Sequence, residues 1–335
     1  MSGLIGGSGS TGSSLLRRIL NRHSQIFCGP ESSLFCKAPL YTDFNGSKSK
    51  ILKRGFDGLR SNSWHVYRGV DLGLSEFGIN QSNLEPWIEN SNSLKEFATL
   101  FYKDVLDRNH KKIWLEKTPG NAYNFRAFYN CFPNAHLIHI YRNPFDTIAS
   151  LFNRGFSHFQ ATCLYLLNTS FALAAEELDS YVELGYEDVV SDAKSALAPL
   201  LSMLRVGWEE KMLTGASEKY TDDTSKLKNW NYDETKPIGK KSIGRFNSLK
   251  KEDQDIILLA CSSISISSTL SESEKLKYTT IRQLCERLNY LDQKPVEEKY
   301  FNMLKAQKRK DQFFRMHKTA FYNYFNYPIV LKKKA

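Results

Sequence analysis

The chain of 335 residues carries near its start the stretch GGSGSTGSSLLRRIL, Gly6 to Leu20. Gly3–Gly6 reads as a short buried strand, the glycines and serines as a tight turn, and Leu15, Leu16, Ile19 and Leu20 as one face of a helix running from Ser13 to His23. A strand that feeds a glycine-rich turn and then a helix N-terminus aims backbone N–H groups at one point, and such a nest holds an anion. No other feature constrains the fold as much, because this unit needs a parallel sheet around it. Counted from Gly7, the spacing Gly-x4-Gly is that of a nucleotide P-loop, but Ser13 stands where the P-loop lysine would be. The amides of Gly9, Ser10, Thr11, Gly12, Ser13 and Ser14, with the hydroxyls of Ser10, Thr11, Ser13 and Ser14, suit a phosphate or sulfate. A triphosphate with Mg²⁺ also needs the missing lysine and a downstream metal-binding aspartate, and no apolar strand ends convincingly in one.

The rest of the chain supplies that sheet. Further strands are expected at 112–116, 136–141 (HLIHIY) and 182–186, and helices at 94–107, 119–131, 144–152, 158–178, 192–204, 249–263 and 275–288. Alternating strands and helices predict an α/β fold: a P-loop-like parallel sheet flanked by helices on both faces, with a helical C-terminal elaboration. Residues 37–89 read as irregular with short helices, and 209–247 as a polar, basic loop. The expected organisation is one α/β domain over 1–290, with an acceptor-determining insert at about 38–110 and a cofactor-covering loop at about 209–247, followed by a basic aromatic extension over 291–335.

Apolar residues make up 41% and charged residues 24% of the chain, a globular balance. No run of 18 apolar residues is present, so no membrane span is expected. No leader is read at the N-terminus, which favours a cytoplasmic location, with a trimmed lumenal form as the alternative. The net charge of +10 is concentrated at one end: residues 303–335 hold nine Lys/Arg against Asp311 alone. That tail reads as a solvated helix and strand, or else as a surface for an anionic acceptor such as an acidic peptide or glycan, for a membrane or for nucleic acid; of these partners the acceptor is expected and nucleic acid is not. The six scattered cysteines form no C-x-x-C and lack paired histidines, so free thiols are expected and no metal site.

A second anion corner lies in HLIHIYRNPFDTIAS, His136 to Ser150. Arg142 stands at the C-terminal edge of a buried strand, where open α/β sheets bind ligands. Ser150 follows two helical turns on, so a guanidinium fork and a hydroxyl converge on one phosphate. Asp146, one turn after Arg142, reads as a residue that orders it. His139, inside the strand, reads as packed rather than reactive. Two anion corners on one sheet point to one ligand with two separated phosphates.

The stretches GSGSTGSSLLRRILNRHSQIFCGPE, EKTPGN and YRNPFDTIAS together resemble the PAPS-dependent sulfotransferase family, nearest the branch that contains protein-tyrosine sulfotransferases. The resemblance covers residues 3–37 and 112–155, and more weakly 182–207 and 236–250. It implies an enzyme that moves a sulfuryl group from PAPS (3′-phosphoadenosine 5′-phosphosulfate, leaving PAP) to a hydroxyl acceptor, with a peptidyl tyrosine or carbohydrate favoured, and without a metal. It implies that Gly9–Ser14 hold the 5′ end and that Arg142 and Ser150 hold the 3′-phosphate. Tyr186, in YEDVV, is implied near the adenine; as a residue it reads equally as a core tyrosine. The family's basic residue three positions before Ser13 is replaced by Ser10, which makes Lys117 of EKTP the implied partner of the leaving phosphate, with Lys241 of KKSIGRF as a second candidate. Glu31 of CGPE matches the branch's catalytic base. The alternatives are a P-loop nucleotide kinase and a non-catalytic PAPS-binding relative, the latter motivated by Ser10.

Overall fold

The computed structural model describes residues 1–49, 51, 77–79, 81–214, 238–293, 299–316 and 329–332. Five parallel strands form one sheet: β1 (Ser2–Gly6), β2 (Ile26–Phe27), β3 (Ile113–Lys117), β4 (His136–Tyr141) and β5 (Tyr181–Gly185), in the order β2-β3-β1-β4-β5. β1 lies at the centre, with Gly3 opposite Leu115 on one side and His136 on the other. The glycine loop therefore leaves the middle of the sheet, at the edge where β3 and β4 also end.

Strand residues alternate between two cores, as the pleat requires. Ile5, Leu115, Ile138 and Ile140 face the Ser13–Asn21 and Ala193–Met203 helices through Leu16, Ile19, Leu197 and Leu200. Leu4, Trp114 and Leu137 face the opposite side, where the Leu94–Asn109 and Phe125–Cys131 helices bring Phe97, Phe101, Phe125 and Phe128. Both faces are thus covered, which is why β1 and β4 read as near-continuous apolar runs. A third core joins the Pro144–Asn153 and His158–Leu173 helices to the C-terminal Lys251–Ser263, Ile281–Arg287 and Phe301–Met316 helices. Beside it, β6 (Ile264–Ile266) pairs antiparallel with β7 (Ile329–Leu331).

Several elements differ from expectation. β2 is two residues long, too short for a hydrophobic pattern to reveal. Residues 119–131 form a 3₁₀ turn (Pro119–Asn124) before the α-helix begins at Phe125; Asn121 turns its side chain inward there to donate to Ile5 O at 3.2 Å. The helix expected over 158–178 ends at Leu173. Tyr186 opens a helix (Tyr186–Ser191) rather than closing a strand. Of the insert at 38–110, residues 50, 52–76 and 80 lie outside the described residues, as do 215–237 of the polar loop. No helix among the described residues is long and apolar enough to cross a membrane.

Candidate active site

The glycine loop is shaped by its neighbours. Gly7, at φ +151°, donates its N–H to Pro119 O at 3.1 Å. Gly12, at φ +92°, lies so close to Tyr186 that a Cβ there would meet Cδ2 of the ring at 2.3 Å. Ser10 also takes a left-handed conformation, φ +73°. The helix that follows begins at Ser13 with no side-chain cap, so its first-turn N–H groups have no intrahelical partner and are free to meet an anion. Thr11 corrects one expectation: its hydroxyl donates inward to Ser8 O at 2.7 Å and is fully buried, so it braces the turn instead of adding a donor to the ligand.

Beside this loop stands the end of β3. Alternation sends Leu115 and Lys117 to the side of the Ser13–Asn21 helix, and Trp114 and Glu116 to the aromatic side. Lys117 is 1% exposed; its Nζ forms an ion pair with Glu31 and lies 3.4 Å from Ser14 Oγ. The sheet thus brings together Glu31, Lys117 and the loop. The segment carrying Glu31 is held over β3 by Phe35, which stacks on Trp114 at 5.7 Å, and Trp114 stacks in turn on Tyr102 at 4.0 Å. Glu116, which sequence reasoning passed over although it belongs to the quoted EKTP, accepts from Ser32 and Thr118 at 2.7–2.9 Å.

The second corner adjoins the first. Arg142, 3% exposed, donates from Nη1 to Ser10 O at 3.0 Å and from Nη2 to Ser242 O. Its guanidinium lies 4.9 Å from the Tyr186 ring centroid, so that ring, 7% exposed, packs between Gly12 and Arg142. Burial lowers the Arg142 pKa from its ordinary value, and Asp146 opposes the shift. Asp146 Oδ2 is 3.7 Å from Arg142 Nη2, but the carboxylate's closer partners are the N–H groups of Gly244 at 2.7 Å and Phe246 at 2.8 Å. Asp146 therefore chiefly fastens the 240–248 segment beside Arg142. That segment delivers a residue not singled out from sequence: Arg245 Nη1 donates to Ser150 Oγ at 2.9 Å. Lys241 lies on the same segment and is exposed. The sequence signal for Arg245 is its place in the basic stretch KKSIGRF, four residues after Lys241. His139 is fully buried against Tyr181.

Three buried polar atoms at these corners, Ser8 Oγ, Ser10 Oγ and Arg142 Nε, have no hydrogen-bond partner among the described residues. Orphaned donors beside an uncapped helix start fit an anionic ligand, since buried polar groups are otherwise satisfied.

The profile of the sulfotransferase family matches residues 4–210, more than half of the sequence, and the chain belongs to that family. Membership implies a PAPS-dependent sulfotransferase. The sulfotransferase domain of the olefin synthase of Synechococcus PCC 7002 shares the fold: TM-score 0.53 and 17% identity, over 76% of this chain and 91% of that one. A sulfotransferase domain from the curacin biosynthetic pathway aligns over 87% of this chain and 99% of its own at 18% identity, TM-score 0.49. Retinol dehydratase, solved with androsterone and inactive cofactor PAP, aligns over 92% of this chain and 80% of its own at 12% identity, TM-score 0.29. No match is found among curated proteins.

Proposed function

We propose that the chain transfers a sulfuryl group from PAPS to a hydroxyl acceptor by direct in-line displacement, with Glu31 as base and Lys117 as the cation beside the leaving phosphate. The observation that carries this reading is the position of Lys117 Nζ between the Glu31 carboxylate and Ser14 Oγ. One point then holds a proton acceptor, a positive charge and a hydroxyl of the donor loop.

PAPS, when bound, would supply the sulfuryl group, the S–O bond to its phosphate breaking with the electron pair left on that phosphate as the acceptor oxygen bonds sulfur. The amides of Gly9–Ser14 and the Ser10, Ser13 and Ser14 hydroxyls hold its 5′ end, while Arg142, Ser150 and Arg245 hold its 3′-phosphate. Tyr186 backs the loop and the guanidinium, beside the adenine, and Lys241 stays a candidate at the rim. Glu31 accepts the proton of the acceptor hydroxyl. Lys117 offsets negative charge on the departing phosphate oxygen, the role for which Ser10 has no charge. No metal is needed by this donor set. The acceptor is a peptidyl tyrosine or a carbohydrate, as the resemblance favours, selected by residues 38–110 and 209–247 of a 1–290 body; the basic 291–335 extension is compatible with an acidic acceptor.

Labelled-sulfate transfer from PAPS across pools of peptides, glycans and phenols tests the reading. Glu31→Gln and Lys117→Ala are each expected to lower kcat by roughly 10²–10³. Transfer at an unchanged rate in Glu31→Gln would remove the base. PAP bound without turnover in the wild type would favour the non-catalytic relative, and ATP–Mg²⁺ displacing PAP would favour the kinase.

A further inference from the structure

We propose that Glu116 is the positioning residue of the transfer site: through Ser32, Thr118 and Asn121 its carboxylate fixes Glu31 and Lys117 relative to the donor loop. The proposal rests on the reading of Glu31 and Lys117 just given.

Glu116 points to the aromatic side of the sheet and is 1% exposed. A carboxylate there is costly unless donors surround it. Among the described residues no cation pairs with it. Instead it accepts from Ser32 N at 2.9 Å, Ser32 Oγ at 2.9 Å, Thr118 Oγ1 at 2.7 Å and Asn121 Nδ2. Burial raises the Glu116 pKa, and these hydrogen bonds oppose it.

The donors come from the segments whose geometry matters. Ser32 adjoins Glu31, and two bonds to one residue fix the backbone's course as well as its position. Thr118 adjoins Lys117, and its hydroxyl also accepts from Ser33 N at 3.3 Å. Asn121 also donates to Ile5 O at 3.2 Å, one residue before β1 ends. One carboxylate therefore ties the base, the lysine and the root of the glycine loop together. An apolar residue would fill the space without making any of these links.

The test is Glu116→Gln, which keeps the volume but must set an amide donor against either Asn121 Nδ2 or the Ser32 and Thr118 donors. A crystal structure of the variant with PAP is expected to show the Glu31–Lys117 pair displaced, with Gly9–Ser14 in place. The calorimetric preference for PAP over 5′-AMP is expected to change less than about twofold, because the Arg142 corner is untouched. PAP release from PAPS, measured with a mixed pool of phenols, tyrosine peptides and glycans, is expected to fall roughly tenfold to a hundredfold. In a Glu31→Gln background the same change is expected to cause a smaller loss, the part that acts through Lys117, since residues acting as a unit are not additive. An intact Glu31–Lys117 pair in the variant, or an equal loss in both backgrounds, overturns the proposal. If Glu116→Gln does not fold, Ser32→Ala removes one of the same bonds and is read through the same structure and cycle. A Glu31→Gln enzyme with the wild-type rate would sink the base reading, and the crystallographic Glu31–Lys117 separation would still decide the role of Glu116.

Discussion

Arg142 Nη1 donates to the backbone carbonyl oxygen of Ser10 at 3.0 Å, across 132 positions of sequence. The bond joins the two anion corners directly: one lies at the turn after β1, the other at the end of the adjacent β4. A left-handed Ser10 turns its carbonyl toward the guanidinium, and the Tyr186 ring packs against both Gly12 and Arg142. The corners therefore share one edge of the sheet, the arrangement that a donor with two phosphate groups needs.

Arg142→Ala should erase the preference for a 3′-phosphate. A hydrogen bond to a charged group contributes about 1.5–3 kcal/mol, so PAP should lose roughly tenfold or more in affinity while 5′-AMP changes little. Calorimetry with both nucleotides reads the ratio. A preference for PAP over 5′-AMP equal to that of the wild type would detach Arg142 from the 3′-phosphate.

Arg245 should matter more than Lys241. Arg245 donates to Ser150 Oγ at 2.9 Å and its segment is fastened through Gly244 N and Phe246 N to Asp146, whereas Lys241 is exposed. Arg245→Ala is expected to weaken PAP binding by about 1–3 kcal/mol, and Lys241→Ala by less than about 1 kcal/mol, the range for exposed charges. The reverse order in a titration would mean that Lys241 swings in to hold the phosphate.

Much of this was legible in the sequence, for reasons that can be traced to particular residues. The run LIG into glycines and the clean strand HLIHIY placed β1 and β4, because strands buried on both faces lose the alternation that otherwise marks exposure. Arg142 and Ser150 stand at fixed spacing to the end of HLIHIY, whereas Glu31 and Lys117 are singled out only through the resemblance of CGPE and EKTP to the family. What was not legible depends on contacts between distant segments. Nothing local shows that Thr11 turns its hydroxyl to Ser8 O, that Asp146 binds the amides of a segment about 100 residues away, or that Glu116 points to the opposite face from its neighbour Lys117. The last follows from the strand's alternation only once β3 is known to run through Lys117 and not to end at Glu116.

Gly12→Ala should damage both binding and stability. At φ +92° an L side chain is strained by roughly 1–3 kcal/mol, and its Cβ would fall 2.3 Å from Tyr186 Cδ2. The ring cannot retreat without leaving the Arg142 guanidinium it packs on. Thermal unfolding should occur at lower temperature, and PAP affinity should fall with it. A companion Tyr186→Ala change should recover part of the lost stability by removing the clash; no recovery would place the cost in the backbone alone.

His139 should give the protein an acid-sensitive stability. Burial, and secondarily the charge of Arg287, hold its imidazole down to about 3. Its Nδ1 bonds Tyr181 Oη at 2.8 Å, and its buried Nε2 has no partner among the described residues, so a proton arriving there finds no acceptor among them. The unfolded chain takes up that proton near its ordinary pKa of about 6.5, and the folded chain refuses it. The contribution is therefore complete above about pH 6.5 and falls by about 1.4 kcal/mol per unit as pH drops toward the folded value. Urea unfolding between about pH 7 and about pH 5 should cost the wild type roughly 2 kcal/mol more than His139→Asn, which cannot titrate and keeps a polar atom for Tyr181. The other titrating groups are common to both proteins and cancel in the difference. Equal slopes would show that the folded protein protonates His139 as readily as the unfolded chain does.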